Sequence, residues 1–111
     1  MTKEPDTWIY FIRCTETKRI KIGVANYPLR RFHDHQTSCP TVLEFAGLQR
    51  GHRQLERELH KRFGKYRVRR NGEWFSECKE ILDYIKANAP VDDDVHWQIN
   101  NTLIGLMPII A

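Results

Sequence analysis

Residues 8–25 read WIYFIRCTETKRIKIGVA and carry the clearest structural signal of the chain. Two apolar-rich runs flank the polar segment 14–19, as two strands flank the turn of a β-hairpin. The first run carries Tyr10 among apolar residues, and the second alternates isoleucine with Lys21 before it closes on Gly23. The pattern predicts a hairpin and raises the question of whether its polar side chains face a substrate.

Hydrophobic periodicity along the chain predicts the strands and helices and the residues that they bury. The predicted strands are 8–13, 20–24 and 42–48, and the predicted helices are 26–38, 52–63 and 79–88. The core-facing residues are expected to be Leu55, Leu59 and Phe63 in the second helix and Ile81, Leu82 and Ile85 in the third. This order predicts an α/β (α+β) fold, with a small three-stranded, mainly antiparallel sheet flanked by helices.

The chain length of 111 residues allows one core and therefore one domain. We expect this domain to occupy residues 1–90. The tail 91–111 begins acidic and ends apolar, and its apolar end is too short to span a bilayer. The tail is expected to form a helix that packs on the domain or joins two copies as a homodimer, and the sequence does not choose between these.

Cysteine usage and the chain ends bear on the compartment. The three cysteines form no CxxC pair, which favours free thiols in a reducing environment. No stretch has the length of a membrane span, and the charged N-terminal residues do not resemble a signal peptide. We therefore expect a cytoplasmic protein without a membrane partner.

The net charge of +4 hides a strong asymmetry along the chain. Residues 50–70 hold nine lysines and arginines against two glutamates, whereas residues 71–111 hold two lysines against seven acids. So dense a basic segment is typical of a surface that binds a polyanion. The alternative is a solvated helix face followed by a basic loop.

The histidines, cysteines and acidic residues are the candidate metal ligands of this sequence. The segment 33–39 offers two histidines and one cysteine, but structural zinc needs four ligands at compact spacings, so a zinc site is disfavoured. In the second helix His52, Glu56 and His60 line one stripe at spacings of four. A carboxylate there suits Mg²⁺, although pairing between Glu56 and a neighbouring histidine is the simpler alternative.

The remaining polar candidates fit the chemistry of a phosphodiester. Arg31 and His35 are four residues apart, so a phosphate-binding fork and a proton-transfer group project together from the first helix. With Tyr10, Lys21 and Glu56 they make up a phenol, two cations, an imidazole and a carboxylate. Such a set can activate water and offset charge on phosphate.

Five segments together resemble a known family. They are IYF (9–11), KIG (21–23), PLRRFHDHQT (28–37), LERELHKRF (55–63) and GEWF (72–75). In this order, over about residues 8–76, they resemble the GIY-YIG nuclease superfamily, nearest to its small phage-type and meiotically up-regulated-gene-type branch with KIG in place of YIG.

The resemblance implies roles for single positions. Tyr10 would activate or orient the attacking water, Arg31 would contact the scissile phosphate, and His35 would be a candidate base. Glu56 would hold a single divalent metal, and Gly23 would close the second segment.

This sequence departs from the family pattern at Lys21, which stands in the place of a tyrosine. Its ammonium is expected either to hold a phosphate oxygen or to depress the pKa of Tyr10. Glu73 and Trp74 either close over the site or, in the case of the tryptophan, serve only the fold.

The leading hypothesis is a DNA endonuclease that uses Mg²⁺, or Mn²⁺ in its place, held by a glutamate. The expected DNA-binding face comprises Arg30, Arg31, Lys61, Lys65, Arg67, Arg69 and Arg70. The alternative is a catalytically weak or inactive DNA-binding module of the same fold, and a third reading is an assembly protein joined through the tail.

Overall fold

The computed structural model describes residues 7–91. Its strands are β1 (Trp8–Cys14), β2 (Arg19–Ala25), β3 (Leu43–Arg50) and β4 (Trp74–Ser76), and its helices are α1 (Pro28–Thr37), α2 (Arg53–Arg62) and α3 (Lys79–Asn88). A short 3₁₀ turn, Gly64–Tyr66, follows α2. The expectations for the tail, including dimerisation, fall outside the described residues. None of the helices in 7–91 has the length and apolarity that crossing a membrane requires.

The four strands form one antiparallel sheet in the order β3-β1-β2-β4. Strand β1 pairs along its whole length with β2 on one side and with β3 on the other, so it is the centre of the sheet. Helices cover both faces of this strand, and a strand buried on both faces reads as a continuous apolar run. The run IYFI in β1 therefore reflects a doubly covered strand, and Tyr10 is buried with its neighbours.

The sheet separates two cores. The larger core lies under α2 and α3 and includes Ile9, Phe11, Ile20, Ile22, Leu59, Phe63, Phe75, Ile81, Tyr84 and Ile85. The smaller core lies under α1 and comprises Tyr10, Ile12, Cys14, Phe32, Leu43 and Phe45. Side chains alternate between the two faces of a strand. Tyr10 consequently belongs to the face of the sheet that α1 covers.

The expected three-stranded sheet is corrected to four strands. The segment 74–76 forms β4, which pairs antiparallel with β2 through Lys21↔Trp74, Ile20↔Phe75 and Arg19↔Ser76. Three residues are too few to show alternation in a sequence, and pairing with β2 holds this strand in place. The α+β class is confirmed, with three helices on the two faces of the sheet.

The helical periodicity is confirmed with one exception. Leu59 and Phe63 are buried in the larger core and Leu55 packs against it. In α3, however, Leu82 is 39% exposed and does not face inward as expected, whereas Tyr84 is buried. The aromatic ring of Tyr84 packs against Phe11 and Phe63, which fixes the rotation of the helix.

Two adjacent residues of α3 test this rotation. Replacing Ile81, which is fully buried, with alanine is expected to lower the free energy of unfolding by about 2–5 kcal/mol. Replacing Leu82 with alanine is expected to cost less than about 1 kcal/mol, because that side chain lies at the surface. Urea denaturation of both variants measures the difference. Equal losses would contradict the orientation of α3.

Candidate active site

The candidate site lies where the edge of β2 runs beyond its neighbouring strand. β4 pairs with β2 only as far as Lys21, and side chains of α2 reach the backbone further along. The Nε2 atom of His60 lies 2.9 Å from the carbonyl oxygen of Ile22, and the backbone of Val24 is near enough to Glu56 to lower the pKa of its carboxyl. Glu56 therefore lies near the open end of the sheet edge.

Gly23 provides the space that the phenol ring of Tyr10 occupies. The two residues are direct partners in the β1–β2 ladder. A Cβ atom at Gly23 would lie 2.4 Å from both Cζ and Oη of Tyr10. Among the glycines of 7–91 none has positive φ, so Gly23 is required for space and not for its backbone angles. The absence of a side chain lets the phenol lie across β2 toward α1.

Helix α1 brings two polar side chains to this phenol. The Oη atom of Tyr10 lies 3.5 Å from Nε2 of His35, and the guanidinium of Arg31 is near enough to lower the pKa of the phenol. The two helix residues reach the same group because a spacing of four places them on one face. The structure thus brings together Tyr10, Arg31 and His35 as their spacing implied.

Burial raises the pKa of Tyr10, and the negative charges of Glu73 and Glu56 add to the effect, whereas Arg31 opposes it. The phenol therefore stays protonated near neutral pH. The expectation that Lys21 depresses the pKa of Tyr10 is wrong, because desolvation outweighs the nearby cations. A protonated phenol can donate a hydrogen bond to His35 and still accept one from water.

The pKa of His35 moves in the opposite direction to that of Tyr10. Burial lowers it first, and the positive charges of Lys21 and Arg31 lower it further, with Glu73 and Asp34 opposing. The imidazole is therefore neutral near pH 7. A neutral imidazole can accept a proton, so His35 fits the role of a base better than Tyr10 does.

Lys21 is the buried charged side chain of the site, with 9% of its surface exposed. Its Nζ atom lies 2.9 Å from Oε2 of Glu73 and 5.9 Å from the ring centre of Trp74. A buried charge needs such a partner, because desolvation without one is costly. Glu73 and Trp74 thus border the site through Lys21.

Glu56 is a half-buried carboxylate whose pKa is raised, first by burial and then by the like charge of Glu73, while His60 and Arg53 oppose the shift. A hard cation would stabilise the charged form of this half-buried carboxylate. No group of three or more metal-ligating side chains occurs within 7–91. Mg²⁺ needs only one or two protein carboxylates with water and phosphate, so the residues present fit it.

The basic residues expected to bind DNA divide into two groups. Exposed side chains belong to Arg30, Arg31, Lys61, Lys65, Arg69 and Arg70, although Nζ of Lys65 lies 3.3 Å from a carboxylate oxygen of Glu80. Arg67 is half-buried and turned inward. Its Nε donates to the carbonyl oxygen of Gly72 at 2.7 Å, and its guanidinium lies 3.3 Å from Nδ1 of His60. Arg67 therefore braces the loop before β4.

His60 has a positioning role that sequence reasoning missed. Because arginine only donates hydrogen bonds, Nδ1 of His60 accepts from Arg67 and its Nε2–H donates to the carbonyl of Ile22. The imidazole thereby links α2, the edge of β2 and the loop before β4. The spacing of four residues between Glu56 and His60 was the available signal. It favoured pairing of these two side chains on the surface of the helix and not a contact of His60 with the sheet.

Residues 7–89 match the family model described as the T5orf172 domain. No curated protein and no solved structure matches the chain. This result overturns the assignment to the GIY-YIG superfamily, which rested on five short segments. A T5orf172 domain is compatible with a nuclease or DNA-binding role and with DNA as a partner. Because the match covers most of its length, the chain belongs to the T5orf172 domain family.

Proposed function

We propose that this domain is a magnesium-dependent DNA endonuclease whose active site comprises Tyr10, Lys21, Arg31, His35 and Glu56. The observation that supports the proposal is the 3.5 Å approach of Tyr10 to His35, with Lys21, Arg31 and Glu56 near enough that their charges shift the pKa of one or both of these groups. The family match, which is compatible with a nuclease role, supports the same conclusion.

In this mechanism His35 accepts the proton of the attacking water. Its lowered pKa keeps the imidazole neutral at neutral pH, and Nε2 faces the hydroxyl of Tyr10. The protonated phenol orients the water and stays within 3.5 Å of the base. A proton can then move from water to the imidazole directly or through the phenol oxygen.

The other side chains stabilise charge on the phosphate. Arg31 offers a planar fork to two phosphate oxygens, and the ammonium of Lys21, oriented by Glu73, offers a point charge. Glu56 would hold Mg²⁺. The negative charge of Glu73 acts on the carboxyl of Glu56 and raises its pKa. When bound, Mg²⁺ would act as a Lewis acid on the phosphate.

The exposed arginines and lysines would hold the DNA backbone on either side of this site. Each phosphate contact releases counterions, so binding is expected to weaken steeply as salt rises. Arg67 is not among these DNA-binding residues, because its guanidinium hydrogen-bonds to Gly72 and His60. Arg30 and Arg31 line one cavity of about 400 Å³ with Asp34, next to the end of β2.

The function is tested by incubating supercoiled plasmid with the purified chain in Mg²⁺, in Mn²⁺ and in excess EDTA. We expect nicking with either ion and none in EDTA, while DNA binding measured in parallel falls with salt. Salt-dependent binding without nicking in either ion would contradict the endonuclease and favour a DNA-binding module of the same fold.

The pH profile tests His35 as the base. A base must be unprotonated, so the single-turnover rate should rise with pH through the pKa of His35 and then level off. Because that pKa lies below 6.5, the plateau should be reached before neutral pH. In Lys21→Gln a cation is lost and Glu73 is left unpaired, and both changes raise the pKa of His35. The rising limb should therefore move to higher pH, and an unmoved limb would exclude His35.

A further inference from the structure

A cleft of about 560 Å³ adjoins the proposed site through Trp74. It lies between the turn of the β1–β2 hairpin, the loop after α1 and the loop before β4. The ring of Trp74 contributes to its wall and also lies 5.9 Å from Nζ of Lys21. The cleft and the proposed site are therefore neighbours, with Trp74 between the cleft and Lys21.

The wall of the cleft is mostly apolar, and its charges are positive. Cys14, Leu43, Val68 and Trp74 line it. Arg19 and Arg69 also line it and are exposed to solvent. Neither guanidinium forms an ion pair within the part of the chain described, in contrast to Arg13, which is paired with Glu44 and Glu77.

We propose that this cleft binds an unpaired base of a DNA strand, with the neighbouring phosphates held by Arg19 and Arg69. The inference rests on the proposed function, since it concerns the DNA on which that site acts. An indole offers a flat face on which any base can stack, and two unpaired arginines complement the phosphates on either side. A volume of about 560 Å³ is within the range of pockets that enclose small ligands.

The cleft would give the enzyme a preference for DNA structure. Bases inside a duplex are paired and stacked on their neighbours, so they do not present a free face to Trp74. A base in a flap, gap or bulge does present one. The preferred substrate is therefore DNA with unpaired bases close to the scissile phosphate.

The test compares two labelled DNAs of equal length by fluorescence anisotropy, one fully paired and one with a three-base bulge. The full chain carrying Glu56→Gln is used with Mg²⁺ present, so that cleavage does not interfere. We expect about 10-fold tighter binding to the bulged DNA, within the range for stacking of one base on an aromatic ring. A 2-aminopurine in the bulge should lose fluorescence as it stacks. Equal affinities would overturn the proposal.

Variants of the cleft assign the preference to its residues. Trp74→Ala and Arg19→Glu should bring the ratio of the two affinities close to one, whereas Trp74→Phe should retain most of it. Arg70→Glu, exposed and outside the cleft, should weaken binding to both DNAs and leave the ratio unchanged. If Trp74→Ala does not fold, Arg19→Glu decides the test, because its side chain lies at the surface.

Two results separate this proposal from the proposed function. If the parent chain cleaves DNA with Mg²⁺ but binds both DNAs equally, the cleft proposal is wrong and the endonuclease stands. If the parent chain does not cleave but the preference depends on Trp74 and Arg19, the cleft is supported and catalysis is contradicted.

Discussion

Glu56→Gln is expected to reduce the rate of magnesium-dependent DNA cleavage by at least about 10³-fold while leaving the domain folded. The loss follows because a divalent ion contributes several kcal/mol to the stabilisation of transition-state charge, and about 4 kcal/mol corresponds to 10³ in rate. An amide cannot replace the charge that a carboxylate offers to Mg²⁺.

The same variant is expected to be at least as stable as the parent at neutral pH. Burial raises the pKa of Glu56 in the folded state above its ordinary value. The folded state then binds a proton more readily than the unfolded state, so stability falls as pH rises through the folded pKa. Removing the ionisable group removes that loss. Thermal unfolding at pH 7 measures it, and a clear drop in the midpoint would contradict this account of Glu56.

Glu58→Gln is the matched control for both measurements. Glu58 lies on the exposed side of the same helix, where Gln54 is within 3.4 Å of its carboxylate. The substitution removes the same charge from α2 but leaves the edge of β2 untouched. We expect a cleavage rate close to that of the parent, so a comparable loss would indicate a general effect of helix charge.

Gly23→Ala is expected to reduce both stability and activity through the displacement of Tyr10. The added Cβ would lie 2.4 Å from the phenol, a distance that no real contact tolerates, and the ring is buried. Overpacking of this kind costs about 1–3 kcal/mol. A shift of about 1 Å in the phenol should also lower the cleavage rate by about 10²-fold, because the ring orients the water beside His35.

A double-mutant cycle isolates this contact. Tyr10→Leu removes the ring and leaves room for the Cβ, so Gly23→Ala should cost less in that background, with a coupling energy of about 0.5–3 kcal/mol. Gly64→Ala is the control, since a Cβ there would meet no atom within 4 Å. Urea denaturation of the four variants of the cycle and of the control gives the energies. Additive losses would mean that Gly23 does not serve Tyr10.

Much of the fold could be predicted because its signals are local. The hairpin around 14–19 and the apolar spacing of α2 depend on residues close in sequence, and both predictions are confirmed. Strand β4 could not be predicted, because it exists through pairing with β2 some fifty residues earlier. The rotation of α3 likewise depends on where Tyr84 meets the sheet.

In the candidate site, too, local contacts could be predicted from the sequence and long-range contacts could not. The spacing of Arg31 and His35 implied a shared direction, and the structure brings both to Tyr10. The ion pair of Lys21 with Glu73 was not visible, because it joins residues far apart in the chain. For the same reason the sequence could not show that burial raises the pKa of Tyr10, or that Arg67 is consumed by contacts inside the protein.

The central claim is that Glu56 works with the side chains around Tyr10 to cleave DNA. Its most direct test is the ratio of single-turnover cleavage rates for the parent chain and Glu56→Gln, on the same plasmid with saturating Mg²⁺. We expect a ratio of at least about 10³. Equal rates for the two chains would contradict it.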